Sequence, residues 1–169
     1  LILSILSTGT LFTGTPFLIT LGFALLGLGT LPNLIKMTLK TSMTSRARYL
    51  AREVLNFQGI QHPGKASLDD IAYAMGVDAI MEAPLEGAEG MIMSHQGKFL
   101  INYSKAIRHD EKRRFVKAHE LGHFMLHQEL LIKEKVHVDQ KVTMRDAKGI
   151  ELEANAFASE LLLPANLLI

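Results

Sequence analysis

The stretch RRFVKAHELGHFMLH, residues 113–127, decides how the rest of the chain is interpreted. It holds a His-Glu-x-x-His pattern inside a run whose apolar residues recur at helical spacing. Residues four apart lie on one face of a helix, so His119 and His123 can direct both imidazoles at one point. These are two of the ligands that a tetrahedral zinc ion needs. Glu120 lies about 100° around the helix, where it could act as a general base beside the metal without binding it.

A surface helix that carries two histidines by chance is the alternative, because the pattern alone holds little information. The flanking residues argue against it. Apolar side chains share or border the face of the histidines: Phe115, Ala118, Leu121, Gly122, Met125, Leu126 and Leu130. Two histidines on a buried face need polar partners, and a metal ion would supply one.

The composition limits the ligands that the protein can use. The 169 residues are enough for one domain with a hydrophobic core. The net charge is +1, from 18 basic and 17 acidic residues, which gives no reason to expect nucleic acid as a direct ligand. The chain has no cysteine, so zinc would have to be held by His, Asp or Glu. The lack of cysteine also suits a cytoplasmic location.

The N-terminal part carries no charge before Lys36. Residues 16–35 are about long enough to cross a bilayer as one helix, and the basic residues that follow would leave the remainder in the cytoplasm. The alternative is that residues 1–36 are upstream sequence foreign to the native protein, because Met37 or Met43 could begin a soluble chain.

The central part predicts two helices followed by strands. Apolar spacing predicts helices at 44–57 and 67–76, the second with a capping serine and a closing glycine. Alternating residues predict a strand at 77–81 and a hairpin at 91–103. The segment Phe99–Tyr103 could pair with an extended substrate, but we favour an ordinary core hairpin.

The helix that carries the histidines is predicted to begin at the cap Asp110 and to end near Gln128. Near its end, His127 could be a third metal ligand, a substrate contact or a plain helix-end histidine, and we favour the last two. The charged residues 129–148 predict an exposed connection with local structure around Val136–Val138.

A catalytic zinc ion needs a third protein ligand, and two histidines with one glutamate are an established set. A second helix, predicted at 149–164, offers Glu151 and Glu153, which flank its apolar stripe on opposite sides. Either carboxylate could instead face solvent. Helical periodicity alone does not choose between them.

The motif at residues 114–127, followed by ELEANAFASELLLP at residues 151–164, resembles the ImmA/IrrE family of metallopeptidases. The resemblance covers about 44–164. It implies an α+β, zincin-like domain in which a small antiparallel sheet packs against helices that include the His-Glu-x-x-His helix. It also implies that the glutamate directly before Ala-Asn, Glu153, is the third zinc ligand, with Glu151 as the alternative.

The resemblance further implies a zinc-dependent endopeptidase that cleaves a helix-turn-helix repressor in stress responses or on mobile elements. Only the repressor, and not this protein, would then contact nucleic acid. Zinc would be held by His119, His123 and Glu153, with Glu120 as the general base. Contacts with the substrate or with the oxyanion could come from two further residues, His127 and Tyr103.

Two other classes stay open: a non-catalytic zinc-containing module that binds protein, and a hydrolase of non-peptide amides. Glu120 argues against the first, because a purely structural site has no use for a base. We divide the chain into an apolar segment, 1–36, and a metallopeptidase domain, 37–169, which is expected to be truncated at its C-terminus. The location is expected to be cytoplasmic, with a membrane tether if residues 16–35 form an anchor.

Overall fold

A computed structural model describes residue 37 and residues 41–134, 136–140 and 149–165, without the side chains of 134 and 136–140. The chain divides into two compact units, Leu1–Thr41 and Ser42–Ile169. The predicted apolar span at 16–35 and the last four residues lie outside the described part. Within that part, no helix has the length and apolar character needed to cross a membrane.

Two helices open the second unit. Helix α1 covers the described residues 41–57, of which 42–57 belong to this unit, and α2 covers Leu68–Met75. The hydroxyl of Ser67 accepts a hydrogen bond of 3.3 Å from the backbone N–H of Asp70, and Gly76 ends α2 at a φ of 105°. The predicted capping of this helix is therefore confirmed.

A four-stranded sheet follows, in the order β1-β3-β2-β4. Strands β2 and β3 form the predicted hairpin, which turns through Gln96 and Gly97 at φ values of 52° and 76°. Two helices separate β3 from β4 along the chain. The four strands are Ala79–Ala83, Ala88–His95, Lys98–Ser104 and Val136–Gln140.

The prediction of a wholly antiparallel sheet is wrong, because β1 runs parallel to β3, with Ala79 opposite Leu100. The reason is topological. The chain reverses between β1 and β2, reverses again at the hairpin, and places β3 in the gap between the first two strands. Because β3 is bonded on both sides, the favoured prediction that Phe99–Tyr103 is an ordinary core strand is confirmed, and the alternative of an edge strand for substrate is wrong. Strands β1 and β4 form the edges of the described sheet.

Helix α3 covers Asp110–Leu126, α4 covers Gln128–Glu134, and α5 covers Gly149–Leu162. The predicted cap is displaced by one residue: His109 occupies the cap position without a side-chain bond, and Asp110 is the first helical residue. The prediction of an exposed connection at 129–148 is wrong for α4, a helix whose Leu131 is buried in the core. The local structure predicted around Val136–Val138 is confirmed as strand β4. Residues 141–148 lie outside the described part.

Helix α3 packs against the sheet on one side and against α5 on the other. The contact between the two helices is close at Gly122, where an added Cβ would lie 3.1 Å from both the Cα and the carbonyl oxygen of Ala154. Phe157 is fully buried beside this contact. The small residues therefore bring α5 near enough for its polar side chains to reach the histidines of α3.

Candidate metal centre

Three buried side chains meet where α3 crosses α5. The Nε2 atoms of His119 and His123 are 3.0 Å apart. The carboxylate of Glu151 lies 3.2 Å from His119 Nε2 through Oε2 and 3.4 Å from His123 Nε2 through Oε1. One ligand atom from each residue lies within 4.8 Å of the others, and all three residues are buried. Their electron-pair donors thus converge on one point.

The spacing of these atoms fits a tetrahedral ion. Zinc bonds of about 2.0–2.1 Å at tetrahedral angles place neighbouring ligand atoms about 3.3 Å apart. The 3.0 Å between the two Nε2 atoms and the 3.2 Å between His119 Nε2 and Glu151 Oε2 are close to that value, and the second carboxylate oxygen, Oε1, lies 3.4 Å from His123 Nε2. The donor set, two imidazoles and one carboxylate, also leaves a fourth position for water or substrate. The residues present therefore fit a catalytic metal.

The third member of the group differs from the residue that the family resemblance favoured. Seen down the axis of α5, the two glutamates lie on opposite sides of Ala154. The structure brings Glu151 to the histidine pair. Glu153 instead lies against His127, with 3.0 Å between Oε2 and Nε2. The geometry corrects the assignment of Glu153 as third ligand and favours the alternative, Glu151.

Asn155 is a site residue that the sequence analysis missed. Its Oδ1 lies 3.2 Å from His119 Nδ1, on the side of the ring away from Glu151. Glu151 and Asn155 are four residues apart, so α5 presents both to one imidazole. This spacing repeats that of the histidine pair on α3, and it could have favoured Glu151 over Glu153 from the sequence alone.

Glu120, the residue after His119, is fully buried and is not one of the three members of the group. Its carboxylate lies over Gly90 of β2, where an added Cβ would be 3.0 Å from Glu120 Cδ and 2.8 Å from Val116 Cγ1. A register shift between Ala88 and Gly90 marks the same place in the sheet. An isolated glycine in a strand often signals such a close approach, and the sequence analysis did not use it.

The two predicted accessory residues have different surroundings. His127 follows α3 at its C-terminal cap and reaches the group through His123, with 3.2 Å between the two Nδ1 atoms. Tyr103 of β3 lies under the ammonium group of Lys117, 4.6 Å from Nζ to the ring centroid. The structure therefore places His127 next to the centre and Tyr103 against Lys117.

Two basic residues fix α3 against α2 and the segment that leads into it. The guanidinium group of Arg114 donates to the carbonyl oxygens of Ala66 and Pro63 at 2.8 and 2.7 Å. Lys117 forms an ion pair of 2.8 Å with Asp69. These contacts, with the packing against α5, hold the histidine face in place before any ligand binds.

Comparison with known proteins agrees with this geometry. The family model described as the IrrE N-terminal-like domain, Peptidase_M78, matches residues 80–169. The matched region includes the two helices that carry the centre. No curated protein matches the chain.

Proposed function

Because the chain belongs to the IrrE N-terminal-like family of metallopeptidases, we propose that it is a zinc-dependent endopeptidase. The convergence of His119, His123 and Glu151 at the separations of a tetrahedral ion carries this proposal. Glu120, next to His119 in the chain, adds a fully buried acid, which we propose as the general base. A centre that only stabilised the fold would have no use for this acid.

The reaction follows from what each side chain can do. His119, His123 and Glu151 would hold the metal, which when bound polarises water and the scissile carbonyl group. Glu120 accepts a proton from the attacking water as the new C–O bond forms. It then delivers this proton to the amide nitrogen as the C–N bond breaks, so that its carboxylate is regenerated.

The substrate that we propose is a helix-turn-helix repressor, cleaved in the cytoplasm. The support is the family resemblance and the net charge of +1, which gives the domain no general attraction for nucleic acid. Contact with nucleic acid would then belong to the repressor. A membrane tether at residues 16–35 stays a prediction, and fractionation of cells that produce the native protein tests it.

The decisive experiment compares the unsubstituted chain with Glu120→Gln, which keeps the shape of the side chain in the narrow space over Gly90. Zinc per chain is measured first, followed by cleavage of purified candidate repressors. We expect one zinc ion in both proteins and a loss of cleavage of about 10²- to 10⁴-fold in the variant, the usual contribution of a general base. Glu129→Gln, at an exposed position, is the matched control.

Each other result has a definite meaning. Undiminished cleavage by Glu120→Gln would remove Glu120 from the mechanism. A chain that takes up no zinc would refute the whole scheme. Zinc uptake with stable binding of an intact repressor would identify a non-catalytic binding module instead.

A further inference from the structure

Behind His123, on the side away from Glu151, lies a second pair of buried polar side chains. His127 Nδ1 is 3.2 Å from His123 Nδ1, and His127 Nε2 is 3.0 Å from Glu153 Oε2. The side chains of His127 and Glu153 are only 9% and 10% exposed. The reaction proposed above uses neither residue, so their burial and alignment need another reason.

The chemistry of Glu153, His127 and His123 determines which atom donates and which accepts in each of these hydrogen bonds. An ionised carboxylate can only accept hydrogen bonds, so Glu153 requires the proton of a neutral His127 to be on Nε2. The Nδ1 atom of His127 then carries a lone pair and accepts from Nδ1–H of His123. A neutral His123 with its proton on Nδ1 has the lone pair on Nε2, the atom that faces His119 and Glu151.

The other histidine of the centre is held in the same way by a different partner. Nδ1–H of His119 can donate to the Oδ1 atom of Asn155, 3.2 Å away. This bond favours the tautomer with the lone pair of His119 on Nε2, whereas in the metal-free chain the carboxylate of Glu151, 3.2 Å from Nε2, can accept a proton there and favours the opposite tautomer. Partners outside the centre thus favour one tautomer in both rings, and in both rings it is the tautomer that can bind a metal through Nε2.

We propose that Glu153 is a positioning residue that acts through His127 to hold His123 in its Nδ1–H tautomer, with Nε2 ready for the metal. The proposal rests on the proposed function only in assuming that the centre binds metal. In this role Glu153 does not bind the metal; it contacts His127, which in turn contacts the ligand His123. Hydrogen bonds to the second nitrogen of a metal-binding histidine fix the tautomer and the ring orientation in this way.

The first test measures the tautomers directly in the metal-free chain by ¹⁵N nuclear magnetic resonance of labelled histidine. We expect a larger share of the Nδ1–H form of His123 in the unsubstituted protein than in Glu153→Gln, because His119 Nε2 and the Glu151 carboxylate, 3.0 and 3.4 Å from His123 Nε2, compete for the proton when no metal is bound. In Glu153→Gln we expect a mixture of both forms, because an amide can donate as well as accept and no longer sets a direction. The Nε2–H form of His123 in the unsubstituted protein would overturn the proposal, and this measurement needs no variant to fold.

The second test measures zinc affinity by competition with a chelator. We expect Glu153→Gln to weaken binding by about 10- to 100-fold, as loss of an outer partner does, and Glu151→Gln to weaken it more because a ligand is lost. Glu129→Gln removes the same charge from an exposed position two residues beyond His127 and should leave the affinity unchanged.

The remaining outcomes separate the two proposals. A loss in Glu153→Gln equal to that in Glu151→Gln would make Glu153 a ligand and overturn the positioning role. Unchanged affinity in Glu153→Gln, or an unchanged tautomer of His123, would overturn it as well. Failure of the unsubstituted chain to bind zinc would instead refute the proposed function, whereas the tautomer of the metal-free chain would still report on the contacts of Glu153 and His127.

Discussion

At the scale of single residues, the metal centre depends on a glycine, Gly90, as well as on the side chains that would bind the metal. Gly90 faces Glu120 and Val116 across the narrow gap between β2 and α3. Burial of a carboxylate is costly unless its surroundings are built for it. A glycine at this point lets the acid lie between helix and sheet without displacing either element.

We therefore predict that Gly90→Ala will displace the carboxylate of Glu120. Overpacking of a filled interior costs typically about 1–3 kcal/mol, and we expect a loss of this size in the free energy of unfolding together with most of the cleavage activity. Denaturant titration and a cleavage assay measure the two effects. Gly64→Ala is the control, because an added Cβ meets nothing within 4 Å there; equal effects in both variants would refute the role of Gly90.

At the scale of elements, the centre exists because α5 lies close against α3. Gly122 and Ala154 form this contact, and Glu151 is one turn before Ala154 on the same helix. A change in the spacing of the helices would therefore move Glu151 away from both histidines, although the change itself lies outside the centre.

We predict that Gly122→Ala will be destabilising, contrary to the usual preference of helices for alanine. Alanine in a helix gains about 1 kcal/mol over glycine, but here the added Cβ would lie 3.1 Å from backbone atoms of Ala154 and 3.2 Å from the Phe157 ring. Because backbone cannot rotate away as a flexible side chain can, we expect lower stability and weaker zinc binding. Calorimetry and chelator competition measure both, with Ser159→Ala on the exposed face of α5 as control. Greater stability and unchanged affinity would show that the helices can adjust.

Local patterns were sufficient to predict the elements that depend on neighbouring residues. The hairpin, the capping of α2 and the helical placement of His119 and His123 are of this kind, because each follows from residues a few positions apart. The parallel pairing of β1 with β3 and the burial of Leu131 depend on distant partners, which periodicity does not report. The choice of Glu151 over Glu153 also depends on how α5 is rotated against α3. The packing at Ala154 fixes that rotation, and the four-residue spacing of Glu151 and Asn155 is the local signal that points to it.

At the scale of the whole domain, α1 is tied to α5 by an ion pair. The Nε atom of Arg52 lies 2.7 Å from Glu160 Oε1, and the same oxygen accepts a hydrogen bond of 3.1 Å from the backbone N–H of Ala165. Glu160 is buried, whereas the side chain of Arg52 is 46% exposed. The pair therefore joins the N-terminal helix of the domain to the helix that carries Glu151.

We predict that Arg52→Met will lower the free energy of unfolding by about 1–2 kcal/mol, since a buried carboxylate loses its counterion but the half-exposed arginine is already screened by solvent. Adding Glu160→Gln should restore part of the loss, because the unpaired charge is then removed. A double-mutant cycle by denaturant unfolding measures the coupling, and coupling near zero would show that the pair contributes nothing. Higher salt should reduce the coupling.

The separation of the two site segments along the chain has a thermodynamic consequence. His119 and His123 meet Glu151 only after α5 has packed on α3, so an extended chain offers no comparable chelate. A metal held there would bind the native form selectively, and by mass action its binding energy would be added to the folding equilibrium. The supply of metal in the cell would then regulate how much native protein survives, before it regulates any catalytic turnover.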